Sequence, residues 1–233
     1  MSCAAYTRVD ACEAAAELAR RTNALDAEKV VGAAAVHVST DYVFDGEGAR
    51  PWTQADEPRR LSAYGRTKLE GQQRFLDAVG GGRGFVARTS WLHGPHGRCF
   101  PNTILELPAA RDEVRVVEDP IGRPTCTRDL PGALLALARM TTTSPAAPGI
   151  YQFANARATS WHAFALAIRY RALTRGLPVK AAHVAAIPTT GYPTPARRPR
   201  SSLLSTQKIE HALGAVPRHW RDTLDEVLVE DIA

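Results

Sequence analysis

Tyr64 and Lys68 stand four residues apart in the stretch SAYGRTKLEG, residues 62–71, with only small or polar residues between them. On a helix that spacing puts both side chains on one face, where a phenol and an ammonium reach the same small volume. A free tyrosine has a pKa of about 10 and exchanges protons poorly near neutrality, whereas a cation beside it favours the phenolate and lowers that value. A phenol tuned in this way can trade a proton with a substrate oxygen. A surface helix with a packed tyrosine and a solvated lysine has the same spacing, so the pair alone leaves chemistry and packing both open.

A second polar cluster lies in VHVSTDYVFDG, where Ser39, Thr40, Asp41 and Tyr42 follow the last valine of a short buried strand, Val36 to Thr40. In an open parallel sheet, ligands sit outside the carboxyl ends of the strands, where these side chains fall. The Thr40 hydroxyl is suited to hydrogen-bond the same carbonyl oxygen that Tyr64 protonates. A third cluster, RTSW at Arg88 to Trp91, ends the next strand. The three are expected on one rim.

The elements that must hold this rim alternate. DACEAAAELARRTNALDAEKVV reads as a helix, with Asp10 placed to cap it and Glu13 three residues later as in a capping box. VHVST is a strand. After a turn-rich stretch comes the helix of Tyr64 and Lys68, ending at Val79 to Gly82. FVARTS and VRVVE are strands, TRDLPGALLALARM is a helix capped by Thr127, and GIYQFAN is a strand after a Thr/Ser/Pro/Ala linker at 141–149. Beyond Asn155 come one apolar helix, WHAFALAIRYRALTR, a proline-rich stretch and two short helices. Strands separated by helices predict an α/β fold with a parallel sheet, and the irregular tail predicts a smaller second lobe.

Composition excludes other classes. With 233 residues, 45% of them hydrophobic, the chain can bury a sizeable core. It contains no apolar run of membrane-spanning length and no signal-like N-terminus, so it is expected to be cytoplasmic, with no membrane partner. Cys3, Cys12, Cys99 and Cys126 are too far apart for a CxxC site and are read as reduced thiols. A net charge of +5 is spread along the chain, which is weak support for a polyanion partner; the cluster at Arg197 to Arg200 is the only feature in favour of one, and no nucleic-acid partner is expected. No metal is expected: His93 and His96 sit in a turn without a third ligand. Cys99 beside Phe100, and Trp161, Phe164 and Ile168 at helical spacing, read as packing. GGGRG at 80–84 leads into a strand and fails as a phosphate loop.

Taken together, VHVSTDYVFDG, YGRTKLEGQ, RTSWLHGPHGRCF, VVEDPIGRPT, GIYQFAN, RRPRSSLLS and HWRDTLDEVL, in that order along the chain, resemble the extended short-chain dehydrogenases and, within them, the dTDP-4-dehydrorhamnose reductases. The resemblance implies a Rossmann-type parallel sheet, with residues 1–92 and 128–155 in the cofactor-binding part and 93–127 and 156–233 in a substrate-binding lobe. It implies reduction of the C4 ketone of dTDP-4-dehydro-L-rhamnose by NADPH, or NADH, to give dTDP-L-rhamnose. By the same resemblance Tyr64 is the proton donor, Lys68 lowers its pKa and holds the nicotinamide ribose, and Thr40 polarises the ketone. Ala4, Ala5, Tyr6 and Ser39 match positions along the cofactor, and Thr7, Asp41, Tyr42 and Trp91 match positions around the deoxysugar. Arg198 is suited to the nucleotide diphosphate, a solvated loop arginine being the alternative.

The family's opening strand, glycine-rich turn and helix have no counterpart in this sequence, and Met1 matches a position inside the family's fourth strand. An incomplete Rossmann sheet with an unpaired edge is therefore expected, and with it a truncated copy with weak or no reductase activity by itself. The helix before VHVST is also expected to be cut back. The alternatives are a related dTDP-4-keto-6-deoxysugar reductase of antibiotic sugar assembly and a non-catalytic subunit of the same fold, like the regulatory subunit of methionine adenosyltransferase. Oligomeric state stays open, a homodimer being one option.

Overall fold

The computed structural model describes residues 1–29, 35–80, 84–106, 113–143, 148–177, 179 and 183–230. In chain order the elements are α1 (Val9–Ala14), α2 (Ala16–Arg20), β1 (Ala35–Thr40), α3 (Ala63–Ala78), β2 (Gly84–Thr89), β3 (Leu92–His93), α4 (Phe100–Glu106), β4 (Glu113–Val117), β5 (Ile121–Gly122) and β6 (Thr125–Cys126). They continue as α5 (Asp129–Thr143), β7 (Gly149–Gln152), β8 (Thr159–Ser160), α6 (Trp161–Thr174), β9 (His183–Ile187), β10 (Ser201–Ser202), α7 (Gln207–Leu213) and α8 (Trp220–Glu230). The expected end of the first helix near Val31, Gly81 and Gly82 of the turn after α3, and linker positions 144–147 lie outside the described residues.

The central sheet has the order β1-β2-β7, all parallel, with Thr40 opposite Thr89 and Arg88 opposite both Ser39 and Gln152. Alternation along the strands splits the apolar residues between two faces. Val36, Phe85, Ala87 and Tyr151 pack on Leu130, Leu134 and Leu137 of α5 and Ile209 of α7. Ala35 and Val86 face the other way, onto Phe75 of α3. The expected helix-sheet-helix layering is thus present. Burying the Phe75 side chain contributes about 1.5–3 kcal/mol, which fixes the height of α3 over the sheet.

A second core gathers Ile104, Val114, Val116, Phe164, Ala165, Ile168, Trp220 and Leu224, from α4, β4, α6 and α8. Ser160 caps α6 by accepting from the Ala163 amide, a contact that typically stabilises a helix by about 1 kcal/mol. Short pairs join this lobe to the sheet's end: β3 with β6, β4 with β9, and β5 between β10 and β8.

The N-terminal region departs from expectation. The helix expected from Asp10 is interrupted at Ala15 (φ −121°, ψ 48°), and a π-helical turn, Arg21–Leu25, follows α2. No capping box forms. Arg8 stands at the cap position without a side-chain bond, Asp10 is engaged by Arg198, and Glu13 accepts from the Ala63 amide at the start of α3. Residues 3–7, matched to a strand end, form no strand: the chain pairs with β1 only at Ser2, whose amide donates to Val36 and whose carbonyl accepts from Val38.

Candidate active site

Ser62 sets the position of Tyr64. Its hydroxyl accepts from the Gly65 amide and starts α3, so Tyr64 falls in the first turn and Lys68 one turn later. Gly65 allows the helix to press on the turn after β1, because a Cβ there would stand 2.3 Å from the Tyr42 carbonyl oxygen. This approach brings the Tyr42 and Tyr64 rings edge to face with centroids 5.4 Å apart. Gly71 serves the same end two turns on, where a Cβ would meet the Asn23 carbonyl oxygen at 2.0 Å.

Thr40 ends β1 and caps the short 3-10 turn Asp41–Val43, accepting from the Tyr42 amide at 3.2 Å and donating to Asp41 Oδ1 at 2.9 Å. Its hydroxyl also lies near enough to the Tyr64 phenol to favour the ionised form of that group. Tyr64 therefore has Thr40 and Tyr42 as neighbours, as the rim required. The buried Asp41 carboxyl is pushed up to about 6 by loss of solvent, against the opposing bonds from the Ser202 and Thr40 hydroxyls.

Lys68 lies where the helix spacing put it, and its ammonium is engaged by the backbone of β1. Nζ donates to the Val38 carbonyl at 2.7 Å, on the strand edge that Ser2 also engages, and burial pushes the group down to about 8. The expected lowering of the Tyr64 pKa by Lys68 is not found. Burial and then the nearby Asp41 charge hold the phenol above its ordinary value, eased only by the Thr40 hydroxyl. The physical reason is that an edge carbonyl competes with the phenol for the one buried ammonium.

The remaining expected residues divide. Tyr6 lies beside Tyr64 in a small cluster with Cys12, Ala19 and Ala63. Ala5 is half-buried, and Ala4 and Thr7 are exposed. Ser39 is buried in the row facing α3, with no partner for its hydroxyl. Trp91 takes a left-handed backbone (φ 48°) and stacks on Trp161 with centroids 3.6 Å apart, so its ring is engaged by the second lobe. Arg198 is not a solvated loop arginine: it is ion-paired with Asp10 at 2.7 Å and donates to the Ala196 carbonyl at 3.3 Å.

Two buried residues at this site were not anticipated as functional. Asn23 accepts from the Tyr6 amide at 2.7 Å and donates to the Tyr6 carbonyl at 3.3 Å and to Thr67 Oγ1 at 3.0 Å, tying the N-terminal segment to α3. Its only signal in the sequence is a polar residue within an otherwise helical run. His37 stacks on Phe75 and is held neutral, pushed down to about 3 by burial and then by Lys68. Among the described residues no cluster of three metal-ligating side chains occurs, and no helix is long and apolar enough to cross a membrane.

The family model described as RmlD substrate binding domain matches residues 1–232. The dTDP-4-dehydrorhamnose reductase of Escherichia coli K12 is 34% identical, over 99% of this chain and 78% of its own length. A crystal structure of a dTDP-4-dehydrorhamnose reductase from Clostridium acetobutylicum superposes with a TM-score of 0.86 at 36% identity, covering 97% of this chain and 78% of that one. Another, from Bacillus anthracis and in complex with NADP, superposes with a TM-score of 0.85 at 31% identity, covering 98% of this chain and 79% of that one.

Proposed function

The chain belongs to the RmlD substrate-binding-domain family, and from that premise we propose that it reduces the C4 ketone of dTDP-4-dehydro-L-rhamnose to dTDP-L-rhamnose with NADPH, NADH being the alternative donor. The observation that carries this reading is the packing of Tyr64 on Tyr42 at the turn that Thr40 caps, at the carboxyl end of β1, with Lys68 one turn away. A ketone oxygen placed between the Thr40 and Tyr64 hydroxyls would have both as donors.

Held above its ordinary value, the Tyr64 phenol is fully protonated at neutral pH and is poised to give its proton to an alkoxide. Thr40, whose single hydroxyl hydrogen is given to Asp41 Oδ1 in this structure, would turn it to the same oxygen as charge develops there, an interaction stronger in the transition state than in the ground state. The residues present fit the nicotinamide end of a dinucleotide. An ammonium has three N–H donors, and Lys68 directs one of them to Val38, leaving donors for the ribose that it would hold together with Tyr64. Ala4, Ala5 and Tyr6 would lie along the cofactor, positioned by Asn23. When bound, the reduced nicotinamide supplies the hydride. Tyr42, Thr7, Asp41 and Trp91 would surround the deoxysugar, and Arg198 the diphosphate. This reading divides the chain at 92/93, 127/128 and 155/156 into a cofactor part and a sugar lobe.

A non-catalytic subunit of the same fold draws support from one observation, the Lys68 ammonium engaged by Val38 instead of the phenol. Absorbance at 340 nm with NADPH and the ketosugar separates the two readings, assayed with the 233-residue chain and again with any in-frame upstream codons added. Ketosugar-dependent oxidation that Tyr64→Phe abolishes supports the reductase. No turnover by either form refutes it.

A further inference from the structure

Arg88 occupies the middle strand of the sheet one residue before the rim, and it is 1% exposed. Its Nε donates to Gln72 Oε1 of α3 at 3.0 Å, one turn beyond Lys68. On the other side its guanidinium lies 5.0 Å from the centre of the Phe44 ring, which stacks in turn on Trp52 at 4.7 Å. Phe44 follows directly after the 3-10 turn that Thr40 caps and that carries Asp41 and Tyr42. One buried cation thus touches both the helix that bears Tyr64 and Lys68 and the turn that begins at Thr40.

A contact of this kind is a poor device for stability alone. Burying a guanidinium without a carboxylate is unfavourable, and an amide and a ring face compensate only in part. Loss of solvent is the sole influence on its charge, pushing the group down to about 10, so it remains a cation at neutral pH. The neighbours in register repeat the pattern. Ser39 and Gln152 flank Arg88 across the three strands, and Ser39 Oγ, Arg88 Nη1 and both amide atoms of Gln152 are buried without a hydrogen-bond partner. Polar groups retained at such cost are expected where function, not folding, sets the sequence.

We propose that Arg88 is a positioning residue for the reaction: clamped between Gln72 and Phe44, its guanidinium fixes the distance between α3 and the turn after β1, and so holds Tyr64 against Tyr42 on the turn that Thr40 caps. The fork matters as well as the charge, because one edge must meet the Gln72 amide while the plane meets a ring, and a lysine satisfies only part of this. The proposal rests on the reductase reading for its kinetic consequence, but its geometric consequence does not.

The test compares wild type with Arg88→Met and Arg88→Lys in two measurements. In crystal structures, Arg88→Met is expected to widen the 5.4 Å separation of the Tyr42 and Tyr64 rings, and Arg88→Lys to restore the contact in part. In kinetics, Arg88→Met is expected to lower kcat by about 100-fold while the KM for the ketosugar stays within about threefold, with Arg88→Lys recovering about tenfold of the loss. An Arg88→Met protein that keeps the Tyr42–Tyr64 ring contact and a kcat within about twofold of wild type overturns the proposal. If Arg88→Met does not fold, Gln72→Leu and Phe44→Leu, which each remove one jaw of the clamp, decide it by the same readouts. A wild type without ketosugar turnover counts against the reductase reading alone, since the crystallographic contact still decides the role of Arg88.

Discussion

Arg198 grips Asp10 with both terminal nitrogens, at 3.0 and 2.7 Å, and so joins the proline-rich segment to α1 across the site. If the guanidinium is also the diphosphate ligand, Asp10 competes with the substrate for it. Asp10→Asn should therefore tighten dTDP binding severalfold, and Arg198→Ala should weaken it by about tenfold, the size of one charge-assisted bond. Calorimetric titration with dTDP measures both, and unchanged affinities would give the pair a purely structural role. Its effect on stability should be about 1 kcal/mol or less, because both side chains are over a third exposed. The Arg198 hydrogen bond holds Asp10 below its ordinary value, so this contribution is present above pH ~4 and fades as pH falls through the depressed folded value.

Asp41 has the opposite sign. Its folded carboxyl is pushed up from 3.8 to about 6, so between those values the folded state binds the proton that the unfolded state has lost. Stability should accordingly decline as pH rises from ~4 to ~6, by on the order of 3 kcal/mol. Urea unfolding midpoints across that range should slope downward in wild type and run flat in Asp41→Asn. Parallel slopes would exclude Asp41 as the source.

Tyr64→Phe removes the proton donor of the proposed reduction while keeping the ring against Tyr42. The expected loss in kcat is about 100- to 10,000-fold, with a melting temperature close to wild type. Thr40→Val should lower kcat by a factor of about 100 or more and should also loosen the turn it caps. Steady-state rates and thermal melts on the same preparations distinguish lost chemistry from lost structure.

Lys68 is pushed down to about 8 by burial, which places its proton loss within reach of a rate profile. If the ammonium is the active form, kcat/KM should fall as pH rises through ~8, and Lys68→Arg should move that limb to higher pH. A profile unaltered by Lys68→Arg would assign the limb to another group.

Gly71→Ala tests the contact between α3 and the Asn23 turn. The added methyl would stand 2.0 Å from a backbone oxygen, which cannot rotate aside. Helix propensity favours alanine by up to about 1 kcal/mol, but overpacking of this kind costs about 1–3 kcal/mol. Calorimetry should show a melting temperature lowered by several degrees, and an unchanged or raised value would mean that the two backbones move apart freely.

The frame of the site was legible in the sequence. Alternating valines marked β1, the Tyr64/Lys68 helix and the apolar run of α6 fell where expected, and the convergence of Thr40 and Tyr64 followed from strand ends in a parallel sheet. What could not be read depends on partners remote in the chain. Asp10 and Glu13 have the spacing of a cap, yet each is taken by a distant group, Arg198 and the Ala63 amide. The tuning of Tyr64 failed for a similar reason, since Val38, 30 residues away, offers Lys68 a carbonyl that no local pattern announces. The Trp91–Trp161 stack was equally hidden, because both tryptophans were read within their own segments.

That stack has a consequence for how such a protein changes over generations. The indole of Trp91 lies so close over Gly122 that a Cβ there would stand 2.4 Å from it, while its other neighbour is the first residue of α6. Since Trp91 leaves β2 only two residues after Thr89, a rotation of that helix is transmitted to the strand ends within a single knuckle of backbone. Under the proposed function, in which Trp91 borders the deoxysugar, a change in sugar preference would carry a change in the alignment of the hydride path with it.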